Sequence, residues 1–243
     1  LTLKEIKIRY KQTFLGAAWA VLQPVALTVI FTVVFSLFLK VDSGSVPYPV
    51  FAYSALLPWT FFSTALSFGA LSVVNNGNLV TKVYFPREML PLSAVGAAFF
   101  DFLMAAVVFA VMMIFYKISI SATILFAPLI IVSILLLTTG VSLILATLNV
   151  LFRDIRFIIP LLLQIWLYLT PVIYSSEAIP QKFKFLYWLN PLAPLIETFR
   201  QITVHGQNPR VFDLAYASLI SIVIFALGFW FFKSRERIFA DVI

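Results

Sequence analysis

The chain has 243 residues, of which 62% are hydrophobic and 11% charged, and its mean hydropathy is +1.04; an ordinary soluble domain carries about 25% charged residues, so this is an integral membrane protein. Its formal net charge of +7 comes from 17 lysines and arginines against 10 aspartates and glutamates. No basic face with base-stacking aromatics sits in a soluble domain, which excludes a nucleic-acid role, and the absence of cysteine excludes disulfides, thiolate metal sites and thiol nucleophiles.

No polar tract is long enough to fold separately, so residues 1–243 are expected to form a single all-α transmembrane domain. The chain opens with Leu3, Ile6, Tyr10 and Phe14 at helical spacing, while Lys4, Glu5, Lys7, Arg9 and Lys11 take the remaining faces. That pattern predicts an amphipathic helix over 1–15 lying in the membrane interface, its cations near anionic headgroups. It serves as a topology anchor, or it also touches a cytosolic partner. No cleavable signal pattern is recognised ahead of the first apolar run.

Six apolar runs follow, at 17–39, 50–74, 92–116, 124–148, 157–174 and 214–232. A run of about 20 residues rises far enough at 1.5 Å per residue to cross a hydrocarbon core of about 30 Å. Six crossings put both termini on one side. The larger share of lysine and arginine then falls with the termini, Lys4, Lys7, Arg9, Lys11, Lys82, Arg87, Arg153, Arg156, Lys233, Arg235 and Arg237, against an outer set of Lys40, Lys117, Lys182, Lys184, Arg200 and Arg210. Termini in the cytosol is the orientation this predicts.

The loop 75–91, NNGNLVTKVYFPREMLP, is then the first cytosolic connection. It combines Lys82, Arg87 and Glu88 with Val83, Tyr84 and Phe85, apolar side chains predicted to be exposed, a mixture suited to docking on another protein. Asp101 falls about nine residues into its run, roughly 14 Å deep, where a charge is expensive and faces protein or water. It is a packed structural aspartate or part of a pathway. A proton-driven transporter would carry several intramembrane ionisable groups arranged as a relay, and this chain offers one clear case.

Aromatic residues make up 16% of the chain. Trp59, Phe61, Phe62, Trp166, Tyr168 and Tyr174 either anchor at the membrane interfaces or line a channel, offering flat apolar surface. Arg153, Asp154 and Arg156 make a short cytosolic turn. Two readings stand there: a local ion pair with topology anchoring, or contact with a partner or with phosphate oxygens. The segment 175–213 contains apolar pieces at 183–189 and 191–202, too short to cross and separated by Asn190 and Pro191. Such pieces predict two half-helices that dip into the outer leaflet and return. His205, the single histidine, is expected to be solvated, with no partner spacing for a metal site or triad.

Four stretches resemble a known family: IRYKQTFLGAAWAVLQP at 8–24, NLVTKVYFPREMLPLS at 78–93, FRDIRFIIPLLLQIWLYLTPVIYSSEAIP at 152–180 and WLNPLAPLIETFRQ at 188–201. Together, in order and across almost the whole chain, they look like the permease subunit of type-2 ABC exporters, and within those the polysaccharide branch of Wzm-type O-antigen exporters and their teichoic-acid relatives. The resemblance implies a homodimer of six-span subunits carrying two copies of a separate ATPase. It also implies a polymer on a polyprenyl pyrophosphate lipid passing through a channel at the dimer interface of the bacterial inner membrane. Lys4, Lys7, Arg9, Lys82, Tyr84, Phe85, Arg87 and Glu88 would then face the ATPase. Trp59, Phe62, Asp101, Trp166, Tyr168 and Tyr174 become channel candidates, and Arg153 and Arg156 headgroup or coupling candidates.

No GxxxxGK[ST] string occurs, so this chain has no phosphate-cradling loop of that kind, and ATP and magnesium are expected at the partner. The permease is not expected to be an enzyme by itself or to bind a cofactor. A small-molecule or drug exporter permease is the alternative within the family. A channel or membrane enzyme needing no ATPase is the alternative outside it, disfavoured by the lack of convergent acid, base or metal residues.

Overall fold

The computed structural model describes residues 1–11, 18–38, 46–82, 85–176 and 179–239, and every described element of regular structure is helical. The amino-terminal helix α1 (Thr2–Lys11) packs against residues near the start of the later helix that begins at Met89. Helix α2 (Trp19–Phe31) continues into a π-helical stretch, Thr32–Phe38. Helices α3 (Tyr48–Asn75), α4 (Gly77–Lys82), α5 (Met89–Phe115) and α6 (Ala127–Leu151) follow. After them come α7 (Ile155–Leu169), the short α8 (Lys184–Leu189) and α9 (Leu192–Thr203), and the final long helix α10 (Val211–Arg235).

Prolines sit at the first turns of α3 and α6, where a missing amide hydrogen is no loss. Five helical stretches are long and apolar enough to cross a bilayer: Trp19–Ser36, Tyr48–Asn75, Met89–Phe115, Ala122–Leu151 and Val211–Ile238. They coincide with five of the six predicted runs to within a few residues. The remaining run, 157–174, is helical only as α7, whose 15 residues rise about 22 Å, short of the hydrocarbon thickness. Its early end has a local cause. Pro171 pushes the residue before it out of the helical region, and Thr170 is extended (φ −100°, ψ 135°) while its hydroxyl donates to the Trp166 carbonyl oxygen at 2.8 Å.

Helix α3 is the hub. It is apolar on nearly every side, the pattern of a helix enclosed by others, and it packs against α2, α5, α6, α7 and α9. Tyr53, fully buried, donates from its hydroxyl to the Ala105 carbonyl of α5 at 3.0 Å. Asn149 of α6 donates to the Ala70 carbonyl at 3.1 Å. Such interhelical hydrogen bonds contribute about 0.6 to 2 kcal/mol each in a membrane, where apolar burial cannot distinguish helix from lipid.

The second close pair is α6 with α10. Gly140 and Gly228 face each other across it, and Ser133 and Ser218 hydrogen-bond at 2.9 Å one bundle layer away. The pairing brings the carboxyl end of α10 back to the end of the bundle where α3 meets α5.

Candidate functional site

At that end the chain turns sharply. The Asn76 amide group donates to the Ser72 carbonyl at 2.8 Å, satisfying one of the carbonyls left free as α3 stops. The connection is then fastened by apolar contact: Leu79, Val80, Phe85 and Leu90 join Val73, Leu143, Val150, Phe232 and Phe239 in a cluster contributed by α3, α6 and α10. Phe85 is therefore half-buried, where an exposed side chain was expected, because the loop folds back onto the helix ends. Val83 and Tyr84 lie outside the described residues.

Charged groups close the same contact. Lys233 Nζ of α10 lies 2.8 Å from Glu88 Oε2 and 3.0 Å from Glu236 Oε2, and Arg87 Nη1 donates to the Glu236 backbone carbonyl. The Lys233, Glu88 and Glu236 side chains are 35%, 15% and 28% exposed, so each pair is worth about 0 to 1 kcal/mol. Their effect is to set the register between loop and helix. Phe85, Pro86, Arg87, Glu88, Lys233 and Arg237 border an open cleft of about 600 Å³ beside them. Lys82 is exposed at the end of α4.

Of the other coupling candidates, Lys4 and Lys7 are exposed on α1, and the Arg9 side chain lies outside the described residues. Leu3, expected on an apolar face, is 74% exposed within the subunit. Arg153 is exposed in the turn before α7 and Arg156 in its first turn. Among the described residues neither pairs with Asp154; the Arg156 guanidinium instead sits 4.6 Å from the centre of the Phe157 ring.

Midway along the bundle, Asp101 is half-buried on the wall of a cavity of about 280 Å³ shared by α2, α3 and α5. Gln23, Thr60, Thr64, Trp19 and Phe61 complete a lining that mixes hydrogen-bonding groups with aromatic surface. Trp59 and Phe62 are 5% and 0% exposed, so both pack inside the subunit. Trp166 is half-buried edge-on against Phe62, ring centres 4.9 Å apart. Tyr168 is 60% exposed, and Tyr174 donates to its carbonyl at 2.9 Å.

The far end holds two polar groups that sequence reasoning passed over. Arg200 of α9 was grouped with exposed outer charges; it is fully buried. Its guanidinium donates to the carbonyls of Pro171 and Val172 at 3.0 Å each and to Glu197 Oε2 at 3.0 Å, with Cζ 3.9 Å from the centre of the Phe51 ring. The Glu197 and Arg200 spacing of three on one helix was the available signal. Asn190, between α8 and α9, accepts from Trp166 Nε1 at 2.9 Å and donates to Thr170 Oγ1 at 2.9 Å. Both residues hold the break after α7 against the α8–α9 pair. His205 is half-buried, and burial pushes its imidazole below the ordinary value.

The geometry defines a class: a multi-pass helical membrane protein with a charged, loop-to-helix clamp at one end and a polar-pinned pair of short helices at the other. Residues 1–204 match the ABC-2 type transporter membrane family, and the chain belongs to that family. It is 31% identical over its whole length to an O-antigen export system permease protein RfbA of Klebsiella pneumoniae, covering 93% of that protein. It is 29% identical, again over its whole length and 94% of the relative, to the protein of that name from Myxococcus xanthus. A polysialic acid transport protein KpsM of Escherichia coli is 24% identical over 98% of this chain and 92% of its own.

Proposed function

We propose that this chain is the transmembrane subunit of an ATP-driven exporter of a cell-surface polysaccharide carried on a polyprenyl pyrophosphate lipid. The observation that carries the reading is end-to-end similarity to permeases named for O-antigen export, at 29 to 31% identity. The more distant relative is named for transport of polysialic acid, another polysaccharide, which favours polymer over a small-molecule cargo.

In this reading two copies form a homodimer in the bacterial inner membrane and carry two ATPase subunits, which bind ATP and magnesium. Six crossings put both termini in the cytosol, with α7 and the turn after it making the short fifth crossing. The clamp end then faces the cytosol, and Lys4, Lys7, Arg9, Lys82, Tyr84, Phe85, Arg87 and Glu88 meet the ATPase there. Arg153 and Arg156, exposed at the same end, are placed to meet either the ATPase or the pyrophosphate headgroup. Helices α8 and α9 form the outer re-entrant pair. The channel runs at the dimer interface, with Tyr168 as its best-exposed aromatic candidate and Trp59, Phe62, Asp101, Trp166 and Tyr174 behind it. ATP acts by changing the relative energy of closed and open bundles through contacts at the docking surface.

Affinity purification from native membranes tests the partner: an ATPase with a phosphate-binding loop, recovered in near-equal amount, supports the reading. Intact chain without any ATPase, even after crosslinking in the membrane, overturns it. Deleting the gene tests the cargo. Loss of surface polysaccharide with lipid-linked polymer retained inside is expected, and an unchanged surface rules out this substrate class.

A further inference from the structure

Motion that enters at the loop before α5 has two ways into the bundle. One is covalent, through the ends of α3 and α5. The other is the clamp onto α10, and its parts reinforce one another. Glu88 and Arg87 hold Lys233 and the Glu236 carbonyl. Beneath them Phe85 joins the cluster that contains Phe232 and Phe239, both fully buried, with ring centres 5.2 Å apart. Farther along α10, Gly228 meets Gly140 with no side chain between the backbones. A contact with no intervening side chain has little compliance, since close-packed interiors transmit displacement.

We propose that the charged clamp makes α10 a coupling element: the loop 85–88 and the carboxyl end of α10 move as one body when the ATPase acts, and the Gly140–Gly228 crossing passes that movement to α6. The inference rests on the ABC exporter reading. Glu88, Lys233 and Glu236 are positioning residues in it. They touch neither ATP nor cargo, and they keep loop and helix in register through the transport cycle. The element lies beyond the 1–204 family match, so a role for it is read from contacts in this chain alone.

Charge reversal on the assembled complex tests this. The readouts are surface polysaccharide, ATP hydrolysis by the purified complex, and ATPase retained on the permease. Lys233→Glu is expected to keep the ATPase bound and hydrolysing while polymer exported per ATP falls about tenfold, within the range of ordinary coupling energies. Lys233→Arg, which keeps a cation between Glu88 and Glu236, is expected to hold export to within about twofold of the parent. An unchanged ratio in Lys233→Glu overturns the proposal, as does an equal loss in Lys233→Arg. Shedding of the ATPase by Lys233→Glu also overturns it, because the end of α10 is then a docking element.

A second measurement does not depend on the charge-reversed variant folding. The chain has no cysteine, so in Glu88→Cys with Lys233→Cys, assembled with an ATPase stripped of cysteine, a bismaleimide joins that pair. If loop and helix move together, bridging recovers the export that the unbridged pair lacks; if bridging halts export, they move apart and the proposal fails. Absence of any ATPase from the unmodified chain is a separate result, and it removes the exporter reading itself.

Discussion

Gly140 and Gly228 cross backbone to backbone: a Cβ built on Gly228 would lie 2.3 Å from the Gly140 carbonyl oxygen, and one built on Gly140 would lie 2.6 Å from the Ile224 carbonyl oxygen. Neither obstacle is a side chain that can swing away, so any larger residue must separate α6 from α10. Gly228→Val is expected to lower stability by about 1 to 3 kcal/mol, the usual cost of overpacking, and Gly228→Ala by less. Thermal unfolding of the detergent-purified chain reads this directly. An unchanged midpoint for Gly228→Val would mean that the helices are not in backbone contact.

Arg200 makes the second prediction. Its guanidinium satisfies two backbone carbonyls freed by the break at Thr170 and Pro171, and it neutralises Glu197, which is itself largely buried at 13% exposure. Removing one partner of a buried pair costs about 3 to 5 kcal/mol because the other charge stays behind unpaired. Arg200→Met is therefore expected to be severely destabilising, and Arg200→Met with Glu197→Gln to recover part of the loss. Lysine is a poor substitute, having no planar fork to reach Pro171 and Val172 together. Proteolytic sensitivity of the segment between α7 and α9 is the measurement, and resistance equal to the parent in Arg200→Met would refute this role.

The long helices were legible because hydropathy needs only the run of apolar residues, and the break at Asn190 and Pro191 was legible because proline acts through its own covalent geometry. What sequence reasoning missed depends on distant partners. The two glycines of the α6–α10 crossing lie on different helices, so no GxxxG spacing records them. Counting lysines and arginines by side treats every charge as solvated, and that placed Arg200 outside although Glu197 stood three residues before it. Lys233 was counted as one more cytosolic cation, since nothing nearby in sequence reveals Glu88. Phe85 looked exposed for the same reason: the cluster that covers it comes from α3, α6 and α10. Hydropathy also carried the run 157–174 past the end of α7 at Leu169, because it weighs side-chain polarity and is blind to the backbone change that Pro171 imposes on Thr170.

The network around Asn190 gives a third prediction. One side chain accepts from the Trp166 indole and from the Leu192 amide, and donates to Thr170. Asn190→Leu, close in volume, removes the acceptor of the Trp166 indole and the Leu192 amide and the donor to Thr170, and is expected to cost about 1 to 3 kcal/mol. It also releases Trp166 from α8. Export is expected to fall with ATP hydrolysis retained, and indole emission should change as its hydrogen bond is lost. Wild-type emission and export together would show that the network does not hold α7 to the short helices.

Arg87 carries the last prediction, on the exporter reading. Its guanidinium donates to the Glu236 carbonyl at the end of α10 while Glu88, next to it, pairs with Lys233. Arg87→Glu removes a donor and sets a third carboxylate beside Glu88 and Glu236, where like charges repel. The loop should then lose its hold on α10 while the ATPase still binds Lys82 and the remainder of the loop. ATP hydrolysis is expected to continue with export reduced about tenfold, and deletion of Phe85 should act in the same direction by emptying its place in the apolar cluster. Raising ionic strength separates the two. Exposed charges are screened strongly above 0.15 M salt, where the Debye length falls below about 8 Å, so part of the Arg87→Glu defect should be relieved and the Phe85 defect should not. Normal export by correctly inserted Arg87→Glu would exclude this residue from coupling.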